Sequence, residues 1–392
     1  GIGGASIMGF SVQTAHRIGA EDFDAARSIV RQAFTTVMTF SAVLAAAGFL
    51  ISPHLPVWLG GDPAIAGNAS DYFPMMALFL PGALLRATGD MKTPSYLGIL
   101  MCILNCFFNF LLIFPTSTYT FLGISLTVPG ADLGIIGAAV GTGIAETIVG
   151  AIMLWMLVVR SPFLSLVGRS GSFIPQATVL RRAFSIASPV AAERILMCGA
   201  QILSTAIVAP LGIVSIAAHT LGITAESLCY MPGYGIGDAA STLVGQSVGA
   251  KRLDLAKRIA YKCVGAGMVV MSVMGVVLYF AAPVLMGIMT DVPEVIELGT
   301  RVLRIEAWAE PMFAAAIVSY SAFIGTGDTL IPAVMNLSSM WVVRLTLAWF
   351  LAPVYGLVGV WSAMCAELIV RGGIFLMRLK SGVWLRKLKQ NN

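Results

Sequence analysis

The sequence carries little charge. Of its 392 residues only 11% are Asp, Glu, Lys or Arg, whereas 58% are hydrophobic, and the mean hydropathy is +0.88. A water-soluble globular domain has about 25% charged residues, so this composition excludes that class. Apolar runs long enough to cross a hydrocarbon layer of about 30 Å as a helix recur along the whole chain. The composition predicts a polytopic helical membrane protein.

The sequence also lacks the common motifs of catalytic and nucleotide sites. It has three histidines and contains no HExxH motif, no Walker A loop and no dinucleotide fingerprint. The closely spaced glycines after Pro232 lie in an apolar run, where they indicate a helix kink. We therefore expect no enzymatic activity and no cofactor. The cysteines all fall in apolar runs, which is typical of packing residues rather than of disulfides or a metal site: Cys102, Cys106, Cys198, Cys229, Cys263 and Cys365.

Three short motifs occur twice, in the same order. A small-residue helix end that stops at Gly249 and continues into a basic turn with Asp254 is matched near the N-terminus by Gly19 and Asp24. Segments 87–94 and 325–332 match each other, and so do segments 134–146 and 356–367. The copies lie about 230 residues apart, which is too far for a solenoid unit and indicates a duplicated domain.

The apolar runs and the duplication together predict the domain organisation. Because the first eighteen residues match the end of the span before Gly249, we expect one helix and half of the next to be missing at the N-terminus. The fold class is an all-α polytopic membrane protein with two pseudo-symmetric six-helix bundles, of which about 11 of 12 helices are present. The lobes are residues 1–160 and 183–380, with a linker at 161–182 and a basic tail at 381–392. The predicted complete spans are 25–51, 71–85, 95–114, 134–159, 183–209, 213–248, 256–282, 294–324, 331–352 and 357–377.

Positive charge is confined to alternate connections between these spans. The linker, the turn after Gly249 and the tail contain several Lys and Arg residues, whereas the connections 53–70, 115–132, 210–215 and 353–356 contain none. Since basic loops remain in the cytoplasm, we predict a cytoplasmic linker and C-terminus. The net charge of +5 follows from this topology and gives no separate support for nucleic-acid binding.

The motifs resemble those of the bacterial multidrug and toxic compound extrusion (MATE) transporters. The resemblance rests on segment 245–250 with Asp254, on segment 325–329 with Pro332, and on Pro189 with Glu193, and it covers essentially the whole chain. It implies two lobes around a central cavity, related by an axis along the membrane normal. It also implies a monomer in the bacterial inner membrane that exports drugs, organic cations or metabolites in exchange for inward Na⁺ or H⁺.

Acidic residues within the spans are the candidates for ion coupling, because a charge at mid-bilayer costs about 2.5–3.5 kcal/mol. We predict that Glu193, Glu310 and Asp238 bind the coupling proton or Na⁺, with a Na⁺ site near Glu193 and Glu310. The alternative for Glu193 is a structural pair with a basic neighbour such as Arg194. The resemblance places the coupling carboxylates of one branch of the family elsewhere, nearer Met197 and Phe313.

A second set of residues is predicted to line the substrate cavity. The two tyrosines in this set offer ring faces to an organic cation. The glutamate and one glutamine lie on the same interrupted helix as the tyrosines. The predicted cavity residues are Gln201, Glu226, Tyr230, Tyr234 and Gln246.

Other buried charges have structural interpretations. Arg344 lies deep in an apolar run and requires an acidic partner, either Glu310 or Glu367. Glu146 and Glu367 occupy equivalent places in the two copies, which favours a packing role for both. Asp328 follows Gly327 and is predicted to cap the next helix.

Two other functions compete with efflux. A flippase for a lipid-linked saccharide belongs to the wider superfamily with this helix count, and it requires a strongly cationic cavity. Only Arg194 and Arg344 lie deep in predicted spans, which favours efflux. A membrane-embedded enzyme requires clustered catalytic residues, which the sequence lacks.

Overall fold

The computed structural model describes residues 2–51, 92–121, 124–156, 159 and 173–386. The described residues are almost entirely helical, which confirms the predicted fold class. Two antiparallel strands, β1 (Pro115–Phe121) and β2 (Ile124–Ala131), are the exception. The helices are α1 (Ile2–Gly19), α2 (Phe23–Ile51), α3 (Lys92–Ile113), α4 (Gly134–Trp155), α5 (Ala177–Val208), α6 (Ile213–Gly249), α7 (Leu253–Met289), α8 (Pro293–Glu306), α9 (Glu310–Gly325), α10 (Leu330–Ser338) and α11 (Leu345–Ser381).

The remaining helical elements of the described residues are short turns. Turns of 3-10 helix occupy Ala209–Leu211 and Val383–Leu385, and a π-helical turn at Ser339–Arg344 joins α10 to α11. Within the described residues, six helical stretches are long and apolar enough to cross a membrane, or seven if α8 and α9 form one broken span. The predicted span 71–85 lies outside the described residues, as do most of the linker and residues 87–91 of the first copy of the 325–332 motif.

One compact unit comprises Phe23–Leu180. In it α3 packs along α4, and Asn105 Nδ2 donates a hydrogen bond to Thr142 Oγ1 at 3.1 Å. The connection between these helices is the β1–β2 hairpin, whose strands pair from Phe121 with Ile124 to Pro115 with Ala131. The prediction of a plain loop for this connection is wrong, because its β-branched and aromatic residues favour extended backbone.

The other compact unit comprises Gly1–Asp22 and Arg181–Asn392. Its centre is formed by α6, α7, α9 and α11, which pack through small side chains that let the helix backbones approach closely. Close packing of small residues is the expected solution in a bilayer, where lipid tails are as apolar as leucine and the hydrophobic effect cannot hold helices together. Buried alanines at these contacts include Ala240, Ala256, Ala260, Ala315 and Ala322.

Three backbone irregularities interrupt the predicted spans of this unit. The predicted span 294–324 is divided into α8 and α9, which are bent by 59°. Pro311 lies in the first turn of α9, where its missing N–H costs no hydrogen bond. The predicted span 331–352 contains the π-helical turn. The predicted spans 331–352 and 357–377 meet within α11 at Gly356, whose non-helical backbone (φ 59°, ψ −142°) separates two helices and is one that only glycine adopts without strain.

The two copies of the glycine motif meet where α1 crosses α6. A Cβ atom added to Gly19 would overlap the carbonyl oxygen of Gln246, and one added to Gly249 would overlap the carbonyl oxygen of His16. His16 and Gln246 each lie three residues before the glycine of their own copy, so the contact is reciprocal. This reciprocity is what two copies related by a rotation produce, and it supports the predicted duplication.

Candidate functional site

Glu193 is held at a point where three helices converge. It lies on α5, one turn after Pro189, and its side chain is buried. The Tyr320 hydroxyl on α9 donates a hydrogen bond to Oε2, and Asn336 Nδ2 on α10 donates to Oε1 at 2.7 Å. Both carboxylate oxygens therefore accept a hydrogen bond from a different helix, and any change in what Glu193 binds alters the contacts of α5 with α9 and α10.

Glu193 lies at the wall of a small open pocket within this unit, with a volume of about 60 Å³. One side of the pocket is polar, with Arg194, Asn336 and Arg371 beside the glutamate. The other side is apolar and aromatic: Met197, Tyr234, Phe313, Ala316, Ile317 and Tyr320.

Tyr230, Tyr234 and Phe313 form an aromatic strip on facing sides of α6 and α9. The Tyr230 ring meets the Tyr234 ring at 5.7 Å and the Phe313 ring at 5.6 Å, both edge to face. Edge-to-face packing at these distances fixes ring orientation. Tyr234 is 39% exposed and lines the pocket together with Phe313, so part of the strip forms the aromatic side of the pocket.

A second buried carboxylate, Glu367, binds two arginines. Arg344 donates from Nε and Nη2 to Glu367 Oε2 at 3.0 and 2.8 Å. Arg371 Nε donates to Oε1 at 2.7 Å, and the Ser339 hydroxyl donates to the same oxygen at 2.5 Å. Of the two predicted partners for Arg344, the structure shows Glu367. Because Arg371 also lines the pocket, this network forms part of the wall behind Glu193.

A third group of carboxylates lies at the break between α8 and α9. Glu306 ends α8 and Glu310 begins α9, and both side chains are 1% exposed. Neither has a hydrogen-bond partner for its carboxylate oxygens in the part of the chain that the structure describes. Glu226 on α6 lies near enough to repel both electrostatically. Unpartnered buried carboxylates require a proton or a cation.

Glu306 is the residue of this group that the sequence analysis missed. It lies at the end of a moderately polar segment with Arg301 and Arg304, in which a glutamate is not unusual. The available signal was its spacing of four residues from Glu310 together with Pro311, a helix-start residue, just after it. That combination indicates two acids flanking a helix break.

The remaining predicted residues are not brought together with Glu193. Asp238 is exposed on α6, one turn beyond Tyr234, and Gln246 lies at the α1 crossing near the other end of α6. Gln201 is exposed on α5, two turns from Glu193. None of these three, nor Glu226, lines the pocket that the described residues form around Glu193.

Asp328 does not cap the next helix as predicted. Thr329 occupies the position before α10, and no side chain caps it. Asp328 instead forms an ion pair with Arg378 near the end of α11, and the Arg378 guanidinium lies over the Phe323 ring. Asp328 pairs with Arg378 and does not cap α10, because the end of α11 places Arg378 beside this loop.

Long apolar helices, a broken span and buried charges around an open pocket define the class of this protein as a polytopic helical membrane transporter. The MatE family profile matches residues 3–111 and 189–350, so the chain belongs to the MatE family. The sequence-based identification of the family is thereby confirmed.

Relatives and a solved structure agree with this assignment. The chain is 26% identical to a probable multidrug resistance protein NorM of Thermotoga maritima, over 98% of this chain and 82% of the relative. It is 23% identical to the probable multidrug resistance protein YoeA of Bacillus subtilis, over 97% and 82%. The crystal structure of the Vibrio cholerae MATE transporter VcmN in its bent form superimposes with a TM-score of 0.80 at 19% identity, covering 99% of this chain and 86% of VcmN. This last likeness shows the fold.

Proposed function

We propose that this MatE-family transporter is a secondary active antiporter that exports drugs, organic cations or metabolites in exchange for inward Na⁺ or H⁺. The observation that carries the proposal is the placement of Glu193, a buried acid at the wall of an open pocket that has a polar and an aromatic side. An ionisable residue within a membrane-spanning helix is a candidate functional residue, because its burial is costly. The names of the relatives, which describe multidrug resistance proteins, support efflux over other transport.

The coupling step follows from the hydrogen bonds of Glu193. Tyr320 and Asn336 both donate to it, so they stabilise the ionised carboxylate. A proton on Oε1 would face the Asn336 amide hydrogens, and a Na⁺ ion there would repel them. Either ion therefore requires Asn336 to turn or α10 to move away from α5. Ion binding is thereby linked to the positions of the helices that form the pocket.

The carboxylates at the α8–α9 break are a second place for a coupling ion. Broken helices in secondary transporters bring half-helix ends and backbone carbonyls to bound ions. Here the carboxyl groups of Glu306, Glu310 and Glu226 lie close together at the negative end of α8, so the break favours a bound proton or cation. We assign Glu310 with Glu306 to proton or Na⁺ binding, and we keep Asp238 as a further candidate because it is an acid within α6.

The membrane placement is part of the same proposal. We infer a monomer in the bacterial inner membrane with the basic tail in the cytoplasm, because basic loops are retained there. One positive charge moving inward across about 100 mV releases about 2.3 kcal/mol, which supports more than tenfold accumulation of a neutral solute outside.

The test is gradient-driven export by purified protein in proteoliposomes. Ethidium movement is followed while a Na⁺ or H⁺ gradient is imposed or omitted, for the wild type and for Glu193→Gln and Glu310→Gln. We expect gradient-dependent export by the wild type and none by either variant. Glu146→Gln is the matched control, since Glu146 is an acid of a different helix in the other unit. Export that is unaffected by either gradient in the wild type contradicts the antiporter.

A further inference from the structure

We propose that the start of α7 is a binding surface for an anionic phospholipid, with the phosphate of the headgroup at Arg258 and Lys262 and an acyl chain along the same face of the helix. None of the residues involved lines the pocket beside Glu193, and the inference does not depend on the proposed antiport. Three observations carry it: a concentration of basic residues without acidic partners, an apolar face that continues from them, and a second helix end that adds positive charge.

The first observation is the charge at the start of α7. The segment 251–262 contains five basic residues and one acidic residue, Asp254, and all six are exposed. None of the five forms an ion pair with any residue that the structure describes. Basic residues clustered where a helix leaves the membrane attract anionic lipid headgroups. The five are Lys251, Arg252, Lys257, Arg258 and Lys262.

The second observation is the face of α7 that continues from Arg258 and Lys262. Residues three or four apart share one side of a helix, and at this spacing the two basic residues are followed by Gly265, Val269 and Val273. Both valines are more than half exposed. The rise from Lys262 to Val273 is about 16 Å, roughly half of a hydrocarbon layer of about 30 Å. This face therefore has the length of one acyl chain in one leaflet.

A depression lies between the charged and the apolar part of this face. Gly265 has no side chain, and a Cβ atom added to it would meet no other atom within 4 Å. The adjacent Ala266 is small and exposed. The glycerol backbone of a phospholipid lies between its phosphate and its acyl chains, so the depression is at the position where a bound lipid is widest. A soluble polyanion would contact the basic residues but would leave the apolar face uncovered, which favours a lipid as the occupant.

The third observation is the contact between α7 and the end of α11. The Tyr261 hydroxyl donates a hydrogen bond to the Leu379 carbonyl oxygen at 3.4 Å, and Trp384 Nε1 donates to the same oxygen at 3.3 Å. Lys380, the residue after Leu379, is exposed, and Lys257 Nζ lies 6.0 Å from the centre of the Tyr261 ring. The end of α11 thus adds positive charge beside α7. Basic sites between neighbouring helix ends are typical of anionic headgroup binding.

The test compares two lipids that differ in headgroup charge. Dioleoyl phosphatidylglycerol is anionic, and dioleoyl phosphatidylcholine has no net charge. Each is titrated into the purified full chain in detergent, and bound lipid is counted by native mass spectrometry. We expect the wild type to prefer phosphatidylglycerol. Because each basic residue at a membrane surface is worth about fivefold in affinity for an anionic lipid, the double variant Arg258→Gln/Lys262→Gln should bind phosphatidylglycerol about 25-fold more weakly. Its binding of phosphatidylcholine should change much less.

Two further variants separate charge from shape. Arg301→Gln is the matched control, because Arg301 is an exposed arginine of α8, which follows the opposite end of α7, and it should bind both lipids as the wild type does. Gly265→Leu fills the depression and keeps both charges, so it should weaken binding of both lipids. We expect all variants to unfold at the temperature of the wild type, since the substituted residues are exposed.

Three results would overturn the proposal. The first is equal binding of the two lipids by the wild type, and the second is an equal loss for both lipids in the double variant. The third is displacement of phosphatidylglycerol by glycerol phosphate, which has the phosphate but no acyl chains. That result would show that the basic residues bind a soluble anion and that the apolar face of α7 does not contribute.

Discussion

Glu367 shows how a buried charge in this protein can be structural. Its two oxygens accept hydrogen bonds from Arg344, Arg371 and Ser339, and it is 0% exposed. Breaking a buried ion pair by removing one partner costs about 3–5 kcal/mol, because the remaining charge is left uncompensated. Here the loss of one carboxylate leaves two buried arginines without their acidic partner.

We therefore expect Glu367→Ala to lower the free energy of unfolding by at least about 3–5 kcal/mol. The measurement is thermal or denaturant unfolding in detergent. Glu146→Ala is the control, because Glu146 occupies the equivalent place in the duplication but has no ion pair within the described ranges. Its effect should stay within about 1 kcal/mol. Equal losses in the two variants would show that the arginine network does not contribute to stability.

Glu193 differs from Glu367 because its partners are neutral donors. Tyr320→Phe removes the hydroxyl that donates to Oε2. Because that hydrogen bond competes with an incoming proton or Na⁺, its loss should lower the ion concentration for half-maximal export about tenfold. Tyr261→Phe serves as the control, since the Tyr261 hydroxyl donates to the Leu379 carbonyl away from the pocket. A rise in the required ion concentration in Tyr320→Phe would mean that the hydroxyl binds the ion itself.

At the residue scale, sequence alone identified the acids but not their neighbours. Glu193 is conspicuous as a charge in an apolar run, and the need of Arg344 for an acid pointed to Glu367 as one of two partners. Tyr320 and Asn336 follow Glu193 by 127 and 143 residues and reach it only through the packing of α9 and α10 on α5. No local sequence pattern predicts these contacts.

At the scale of the element, hydropathy located most helices but not their interruptions. The predicted spans 213–248 and 256–282 correspond closely to α6 and α7. The break at Glu306–Glu310 was missed because a hydropathy window averages over the three residues that separate α8 from α9. The hairpin at 115–131 was not predicted, because the absence of Lys and Arg there indicates a side of the membrane, whereas the extended backbone follows from the β-branched and aromatic residues.

The crossing of α1 and α6 gives a prediction at this scale. Gly249→Ala places a Cβ against the His16 carbonyl, so the two helices must separate, and overpacking of this kind costs about 1–3 kcal/mol. Gly265→Ala on α7 meets open space and exchanges a poor helix former for a good one, so it should be neutral or slightly stabilising. Unfolding midpoints in detergent compare the two. A Gly249→Ala protein as stable as the wild type would contradict the close crossing.

At the scale of the whole molecule, the duplication was the most informative sequence feature. It predicted the organisation into two similar bundles and the equivalence of Gly19 with Gly249, which the reciprocal α1–α6 contact supports. The proposed lobe boundaries remain a prediction, since contacts group Gly1–Asp22 with the second half of the chain. Sequence patterns could not specify which acids face a pocket, because that depends on the rotation of every helix about its axis.

The central claim is that Glu193 exchanges a coupling ion for substrate. Its most direct test is ion release from purified protein on addition of ethidium, followed with a pH indicator in weakly buffered solution or with radioactive sodium. We expect the wild type to release about one cation from Glu193 for each substrate bound, because the carboxylate at the pocket wall carries the exchange. Glu193→Gln should bind ethidium and release about one cation fewer for each substrate bound. Release by Glu193→Gln equal to that of the wild type would contradict the account.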